Sequence, residues 1–177
     1  MVEIDRRKFI TAAGAAGIAG LAGCSGGEET EGEDTTTLKL GLLLPETGDL
    51  GPLGKPMINA GQLAVSFVND ADIPFDLDAR TEDTQTQQSA GISAANSLVN
   101  AGYPAVIGPA SSGINIPVSK QVFIPNEIVG ISPSSTALSV TGLDDDDYIY
   151  RTAPSDALQG RVLGQIAAEE LDVSTAS

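Results

Sequence analysis

Two short segments rich in hydroxyl side chains are the first candidates for chemistry in this sequence. Residues 108–113 read Gly-Pro-Ala-Ser-Ser-Gly, and residues 132–136 read Ser-Pro-Ser-Ser-Thr. Each follows a short apolar run typical of a strand and precedes a segment with the pattern of a helix. A lone serine or threonine there commonly caps its own helix. Two such segments together would offer hydroxyls and free backbone N–H groups to the carboxylate of a small anionic or zwitterionic molecule.

The residue types that the sequence lacks narrow the possible activities. It contains no histidine, which excludes a Ser-His-Asp triad, a Cys-His dyad and an imidazole metal site within it. A serine hydrolase built on Ser112 or Ser135 would need a lysine as its base, and neither serine has one nearby in the sequence. The acidic run 144–147 is read as solvated surface charge, because consecutive carboxylates rarely converge on a cation. We therefore predict no catalytic residue, no metal site and no cofactor.

Acidic residues dominate the charge. Asp and Glu number 24 and Lys and Arg only 9, which gives a net charge of −15 at pH 7. A nucleic-acid-binding surface needs the opposite sign, so we do not expect nucleic acid as a partner. Two explanations of the excess stay open: ordinary solubility charge, or adaptation to high salt, which screens the self-repulsion of an acidic surface. We favour the second.

Alternating hydrophobic periods predict the elements that must position these segments. Strands are predicted at residues 38–44, 73–79, 105–107, 127–131 and 148–151. Helices are predicted from residue 56 to about 68 and at 86–100, 117–126 and 157–171, with 45–54 as a loop. Strands alternating with helices predict an α/β fold with a doubly wound parallel sheet, whose ligands bind at the carboxyl ends of the strands. The polar alternation of 73–79 predicts a strand near the sheet edge.

The N-terminus has the pattern of an export signal. Arg6 and Arg7 precede an uncharged apolar run that ends Leu-Ala-Gly before Cys24, the only cysteine. The run is too short to span a bilayer, and the whole resembles a twin-arginine signal peptide with a lipobox. The alternative is a buried helix with an incidental arginine pair. We expect a lipid on Cys24 to anchor the protein outside the cytoplasm.

Four blocks occur in order along the chain: residues 38–54, residues 106–112, residues 131–136 and residues 150–156. Together they resemble the Leu/Ile/Val-binding protein family, which serves ABC importers and has two lobes of the type I periplasmic-binding fold. The resemblance implies that this chain contains the first lobe of a protein that captures branched-chain or related amino acids. It also implies ABC permease subunits as partners.

The resemblance also implies roles for individual residues. Hydroxyl and N–H groups at Ser112 and Thr136 would bind the ligand α-carboxylate, and the Ser134 carbonyl would accept from the α-ammonium. Ser135 lies between them in the same turn. Leu53 would lie over the ligand, where the family commonly has an aromatic residue. Ser134 and Ser135 stand where the family often has alanine, a departure that favours a more polar ligand.

The expected organisation has four parts: a signal peptide at 1–23, an acidic tether at 24–37, the first ligand-binding lobe at 38–152, and at 153–177 the crossover and the start of a second lobe, here truncated. The tether is expected because residues 25–37 hold no bulky apolar side chain. The acidic composition and the resemblance together favour a haloarchaeal protein. Three alternatives remain: a same-fold receptor for urea, amides or aromatic acids, a ligand sensor without transport, and the serine hydrolase.

Overall fold

A computed structural model describes residues 36–171, which form one parallel sheet with helices on both faces. The strands are β1 (Thr36–Leu44), β2 (Phe75–Asp83), β3 (Ala105–Ile107), β4 (Val129–Ser132) and β5 (Ile149–Arg151). The helices are α1 (Gly51–Asn69), α2 (Gln88–Asn100), α3 (Ser112–Val118), α4 (Leu138–Thr141) and α5 (Asp156–Glu169). After α3 the chain continues through a π-helical turn, Ser119–Phe123, and a 3-10 turn, Ile124–Asn126. The predicted α/β fold with a parallel sheet is confirmed.

The strand order is β2-β1-β3-β4-β5, and every pair is parallel. β1 pairs with β2 along nine residues, from Thr36 opposite Phe75 to Leu44 opposite Asp83. The predicted position of β2 at the sheet edge is confirmed. Its predicted bounds were wrong, because Ile73 is held in a turn by its N–H bond to the Ala71 carbonyl at 2.9 Å. Pairing with β1 then extends the strand to Asp83.

The predicted starts of α1 and α3 were wrong for the same reason. The prolines at 56 and 117 were taken as first-turn residues, yet both lie inside helices that begin five residues earlier. In α1 it is Pro52 that occupies the first turn, where a missing N–H costs nothing. Gly54 lets this turn lie against β1, since a Cβ at that position would be 1.7 Å from the Pro45 carbonyl oxygen. The single turn α4 was not predicted.

The two faces of the sheet are covered unequally. On the covered face, α2, α3 and the π turn bury Leu43 of β1 and Val106 of β3, and Phe123 packs against Gly130 of β4. On the opposite face, called here the open face, α1 packs on the β1 residues Leu42 and Leu44, around Ile58. The helix α5 has no buried residue. Between residues 36 and 171, no helix is both long enough and apolar enough to span a bilayer.

Candidate functional site

The carboxyl ends of β1 and β3 form the natural crevice of this sheet. β1 is followed by α1 on the open face, whereas β3 is followed by α3 on the covered face. The chain therefore leaves these two neighbouring strands in opposite directions, and a crevice opens between the loops. We call the loops 45–50, 108–111 and 133–137, which follow β1, β3 and β4, the strand-end site.

The β3 loop lies unusually close to β1. Gly108 has φ +122°, and a Cβ there would be 2.0 Å from the Leu43 carbonyl oxygen. The Gly108 N–H donates to the Ile131 carbonyl over 2.8 Å, which continues the pairing of β3 with β4 into the loop. Only glycine combines this backbone conformation with this approach, so Gly108 sets how closely the β3 loop can lie to β1.

A buried hydrogen-bond network joins the β3 and β4 loops. Ser132 Oγ donates to the Pro109 carbonyl over 2.5 Å and accepts from the Ser135 N–H at 3.1 Å. Ser135 Oγ lies 2.7 Å from Ser132 Oγ and donates to the Ala110 carbonyl over 3.2 Å. Ser134 Oγ donates to the same Ala110 oxygen over 2.8 Å. Ser132 and Ser135 are both completely buried. The hydroxyl of Ser135 therefore bonds within the protein rather than facing the crevice.

A second set of bonds ties the β4 loop to α3 and β5. Ser112 Oγ accepts from the Ala137 N–H at 3.2 Å. The Arg151 guanidinium, at the end of β5, donates to the carbonyls of Ala137 at 3.0 Å and Ser135 at 3.4 Å, and to Thr141 Oγ1 at 2.5 Å. Three strand ends are thus joined through one turn.

The predicted site residues separate into two groups. Ser134, Ser135 and Thr136 lie in the β4 loop, which hydrogen-bonds to the β3 loop and to Ser112, the first residue of α3. Ser112, Ser134 and Thr136 are half-buried. Ser112 also borders an open depression of about 400 Å³ between α2 and α3. Leu53 lies apart from the hydrogen-bonded loops, in the first turn of α1, with 61% of its surface exposed. Arg6, Arg7 and Cys24 lie outside the described residues.

Sequence reasoning missed Ser132 and Arg151. Ser132 was read only as part of the hydroxyl segment, although a polar residue ending an apolar strand is a usable sign of a buried hydrogen-bond partner. Arg151 was read as the last residue of a strand. Its contacts lie 10 to 16 residues away in the chain, and no local pattern indicates them.

The β1 loop is held by one carboxylate. Asp83, at the end of β2, accepts from the N–H groups of Glu46 at 2.9 Å and Thr47 at 3.2 Å, and from Thr47 Oγ1 at 2.5 Å. It also accepts from the Gln85 N–H at 2.8 Å. Burial acts to raise the pKa of Asp83, but the bonds from Thr47, Gln85 and Glu46 together lower it below its ordinary value. The ionised Asp83 carboxylate therefore stabilises the β1 loop in the folded protein.

The hydroxyl turns carry no charged side chain of their own, and Arg151 reaches them from β5. In the part of the chain described, no three His, Cys, Asp or Glu residues are grouped so as to hold a metal ion. Hydroxyls and backbone N–H groups in such surroundings bind a carboxylate by hydrogen bonds rather than by a salt bridge. A parallel α/β lobe with such loops at its strand ends has the features of a solute-binding protein.

Comparison with known proteins gives the family. The periplasmic binding protein family matches residues 37–176. The Leu/Ile/Val-binding protein BraC3 of Rhizobium johnstonii is 32% identical over 129 residues, which cover 71% of this chain and 34% of that protein. The Leu/Ile/Val-binding protein homolog 1 of Brucella abortus is 36% identical over 130 residues, with the same 71% and 34% coverage.

A solved structure agrees with these relatives. The branched-chain amino acid transporter substrate-binding protein LivJ of Streptococcus pneumoniae, in complex with isoleucine, is similar with a TM-score of 0.71 at 26% identity. The match covers 77% of this chain and 39% of LivJ. The chain belongs to the periplasmic binding protein family. The resemblance to Leu/Ile/Val-binding proteins is confirmed, and the chain spans just over a third of the length of these relatives.

Proposed function

We propose that this chain is the first lobe of an ABC-importer solute-binding protein that captures branched-chain or related amino acids. The observation that carries the proposal is the meeting of two uncharged hydroxyl segments at the carboxyl ends of β3 and β4, linked by the bond from Ala137 N–H to Ser112 Oγ. Ser112 and Thr136 bind the α-carboxylate through hydroxyl and N–H groups, and the Ser134 carbonyl accepts from the α-ammonium.

The relatives support this ligand class. BraC3 is named for leucine, isoleucine and valine, and LivJ was solved with isoleucine. In the full-length protein a second lobe supplies the other wall of the cleft, because one lobe alone cannot enclose a ligand. The ABC permease that receives the ligand is the proposed partner. We propose that Leu53, which is exposed on the first turn of α1, contacts the ligand side chain.

The test is calorimetry of the full-length protein with leucine, isoleucine, valine and leucinamide. Ser112→Ala and Thr136→Ala should each weaken amino-acid binding by about ten- to a hundredfold, because each removes a charge-assisted hydrogen bond. Ser93→Ala, an exposed change on α2, is the matched control and should leave the affinity unchanged. Full affinity in both site variants, or for the amide, would mean that these groups do not bind the ligand carboxylate and only hold the lobe together, as Ser112 does through Ala137. Tighter binding of urea or an aromatic acid would reassign the ligand.

A serine hydrolase has less support. In the described chain, the hydroxyl of Ser135 bonds to backbone carbonyls and Ser132, and that of Ser112 to the Ala137 N–H, with no general base in either set. A nucleophilic serine needs such a base within hydrogen-bond reach. We propose a role in binding without catalysis, and turnover of an ester substrate that is lost in Ser112→Ala would contradict it. Absence of permease and ATPase genes beside this one would favour a sensor.

The N-terminal residues carry a second part of the proposal. Arg6 and Arg7 direct export through the twin-arginine route, residues 1–23 are removed, and Cys24 receives the lipid that anchors the protein. A tether follows at 24–35, shorter than the predicted 24–37 because Thr36 and Thr37 belong to β1. Cys24→Ser should release the mature protein into the medium, and lysine at both arginine positions should leave the precursor in the cytoplasm. Continued membrane attachment of the Cys24→Ser protein would refute the anchor.

Salt adaptation is the third part. The net charge of −15 predicts self-repulsion that screening relieves, since the Debye length falls to about 3 Å at 1 M salt. The melting temperature should therefore rise between low salt and molar potassium chloride. Equal melting temperatures would leave ordinary solubility charge as the explanation.

A further inference from the structure

We propose that Arg151 is a positioning residue of the amino-acid site: it fixes the turn that carries Thr136 without touching the ligand. This inference rests on the proposed function for its effect on affinity. The restraint that Arg151 places on the β4 loop, called here the clamp, rests only on the hydrogen bonds described above.

The guanidinium of Arg151 is committed to neutral acceptors. It is half-buried and donates to two carbonyls of the turn and to the Thr141 hydroxyl. In the described chain the one ion pair joins Arg80 to Glu82, so no carboxylate draws Arg151 away from the turn. Hydrogen bonds from a charged donor are about twice as strong as neutral ones. Arg151 is therefore a strong restraint on a short loop.

The two carbonyls that accept from Arg151 flank Thr136. The Ser135 carbonyl belongs to the same peptide unit as the Thr136 N–H, and in a trans peptide these two groups point in opposite directions. Holding the oxygen toward Arg151 directs the Thr136 N–H away from it. A charged donor on the oxygen also polarises the N–H and makes it a better donor to a carboxylate. The Ala137 carbonyl, at 3.0 Å, supplies the shorter contact.

The other side of the turn is held as well. Ala137 donates its N–H to Ser112 Oγ while its carbonyl accepts from Arg151, so one residue joins the end of β5 to the start of α3. The Asp156 N–H donates to the Thr136 carbonyl over 2.9 Å. Removing the guanidinium frees the Ser135 and Ala137 carbonyls and removes one restraint on the direction of the Thr136 N–H. A lysine could keep the charge but not the fork that reaches several acceptors.

The test is a double-mutant cycle in the full-length protein, with leucine as the titrant. Arg151→Met should weaken leucine binding by about tenfold, the loss of one charge-assisted contact at the carboxylate. Arg151→Lys should recover part of the loss. Arg161→Met, on the exposed surface of α5, removes the same charge and should leave affinity unchanged. In a Thr136→Ala background, which keeps the N–H of residue 136, Arg151→Met should again cost about tenfold, because Arg151 acts through that N–H. Unchanged leucine affinity in Arg151→Met, or a loss below about threefold in the Thr136→Ala background, would overturn the proposal.

Hydrogen exchange of the ligand-free protein tests the clamp independently of ligand binding. Arg151→Met should raise exchange of the amides of residues 134–138 relative to wild type and to Arg161→Met, while β1 and β3 stay protected. Unchanged exchange in this turn would overturn the clamp. If the wild type binds no amino acid while exchange still rises, the proposed function fails and the clamp stands.

Discussion

The two faces of this sheet differ in how far their apolar residues are removed from water. On the covered face, Leu43, Val106 and Phe123 are at most 1% exposed. On the open face, one row of side chains crosses four strands in register, from Leu42 through Ile107 and Ile131 to Tyr150. Leu42 is completely buried, whereas Ile131 is 37% and Tyr150 48% exposed. Exposure thus rises along the row with distance from α1.

The difference follows from which helices cross which strands. α2, α3 and the π turn lie over β1, β3 and β4 on the covered face, so the buried cluster there is continuous. On the open face α1 packs near β1 and leaves the β4 and β5 end of the row without a packed helix in the described chain. Most of the hydrophobic stabilisation of the lobe therefore comes from one face. The strand-end site lies at the carboxyl ends of the strands, where it borders both faces of the sheet.

The largest expected effect is on the covered face. Phe123→Ala should lower the free energy of unfolding by about 3–5 kcal/mol, because it empties a fully buried site packed on Gly130 and the surrounding side chains. Urea unfolding followed by circular dichroism measures the change. Phe123→Leu, which keeps most of the volume, is the matched variant and should lose distinctly less. A loss below about 1 kcal/mol for the alanine variant would mean that this face is not the main core.

The next largest effect on stability is expected at Asp83, at the carboxyl end of β2. Its folded-state pKa is lowered from an ordinary value of 3.8, so its contribution to stability is complete above that value and is lost as pH falls through the lowered pKa. Asp83→Asn should therefore lower the free energy of unfolding by about 1 kcal/mol at pH 7, a value that allows for the partial exposure of Asp83. At strongly acidic pH the variant should be as stable as wild type. Urea unfolding across this pH range tests it. Asp76→Asn, exposed on the same strand, is the control for loss of charge, and an equal pH dependence in both variants would contradict the role of Asp83.

The sequence predicted this architecture where one local signal dominates. Residues 105–107 form β3 as expected, and α2 begins two residues after its predicted start, because short apolar runs and helical periodicity decide those elements. The helix starts at Gly51 and Ser112 were missed because a proline favours the first turn of a helix, whereas Pro56 and Pro117 lie inside their helices despite the lost hydrogen bond.

The site was predictable in its location and not in its internal bonding. Two hydroxyl segments after adjacent strands of a parallel sheet must meet at one edge, and they do. Which hydroxyl turns inward depends on contacts across 23 to 26 residues, such as those that bury Ser132 and Ser135 under the Pro109 and Ala110 carbonyls. The clamp by Arg151 depends on the pairing of β4 with β5 in the same way.

The smallest effect is expected at the exposed end of the open face. Ile131→Ala should lower the free energy of unfolding by less than about 1 kcal/mol, because its side chain is already 37% exposed and its removal leaves no enclosed cavity. Ile128→Ala makes the same chemical change three residues earlier, in the covered cluster, where the side chain is only 7% exposed. That variant should lose about 2–5 kcal/mol, the range for a core isoleucine.

Urea unfolding of the two alanine variants and wild type measures the two losses in free energy of unfolding. Equal dependence on urea concentration in all three proteins would confirm that they unfold in the same transition. A loss at Ile131 as large as that at Ile128 would break the comparison between the faces. It would mean that the row from Ile107 to Tyr150 is buried in solution by a segment that packs on it, and that the open face contributes as much to the lobe as the covered one.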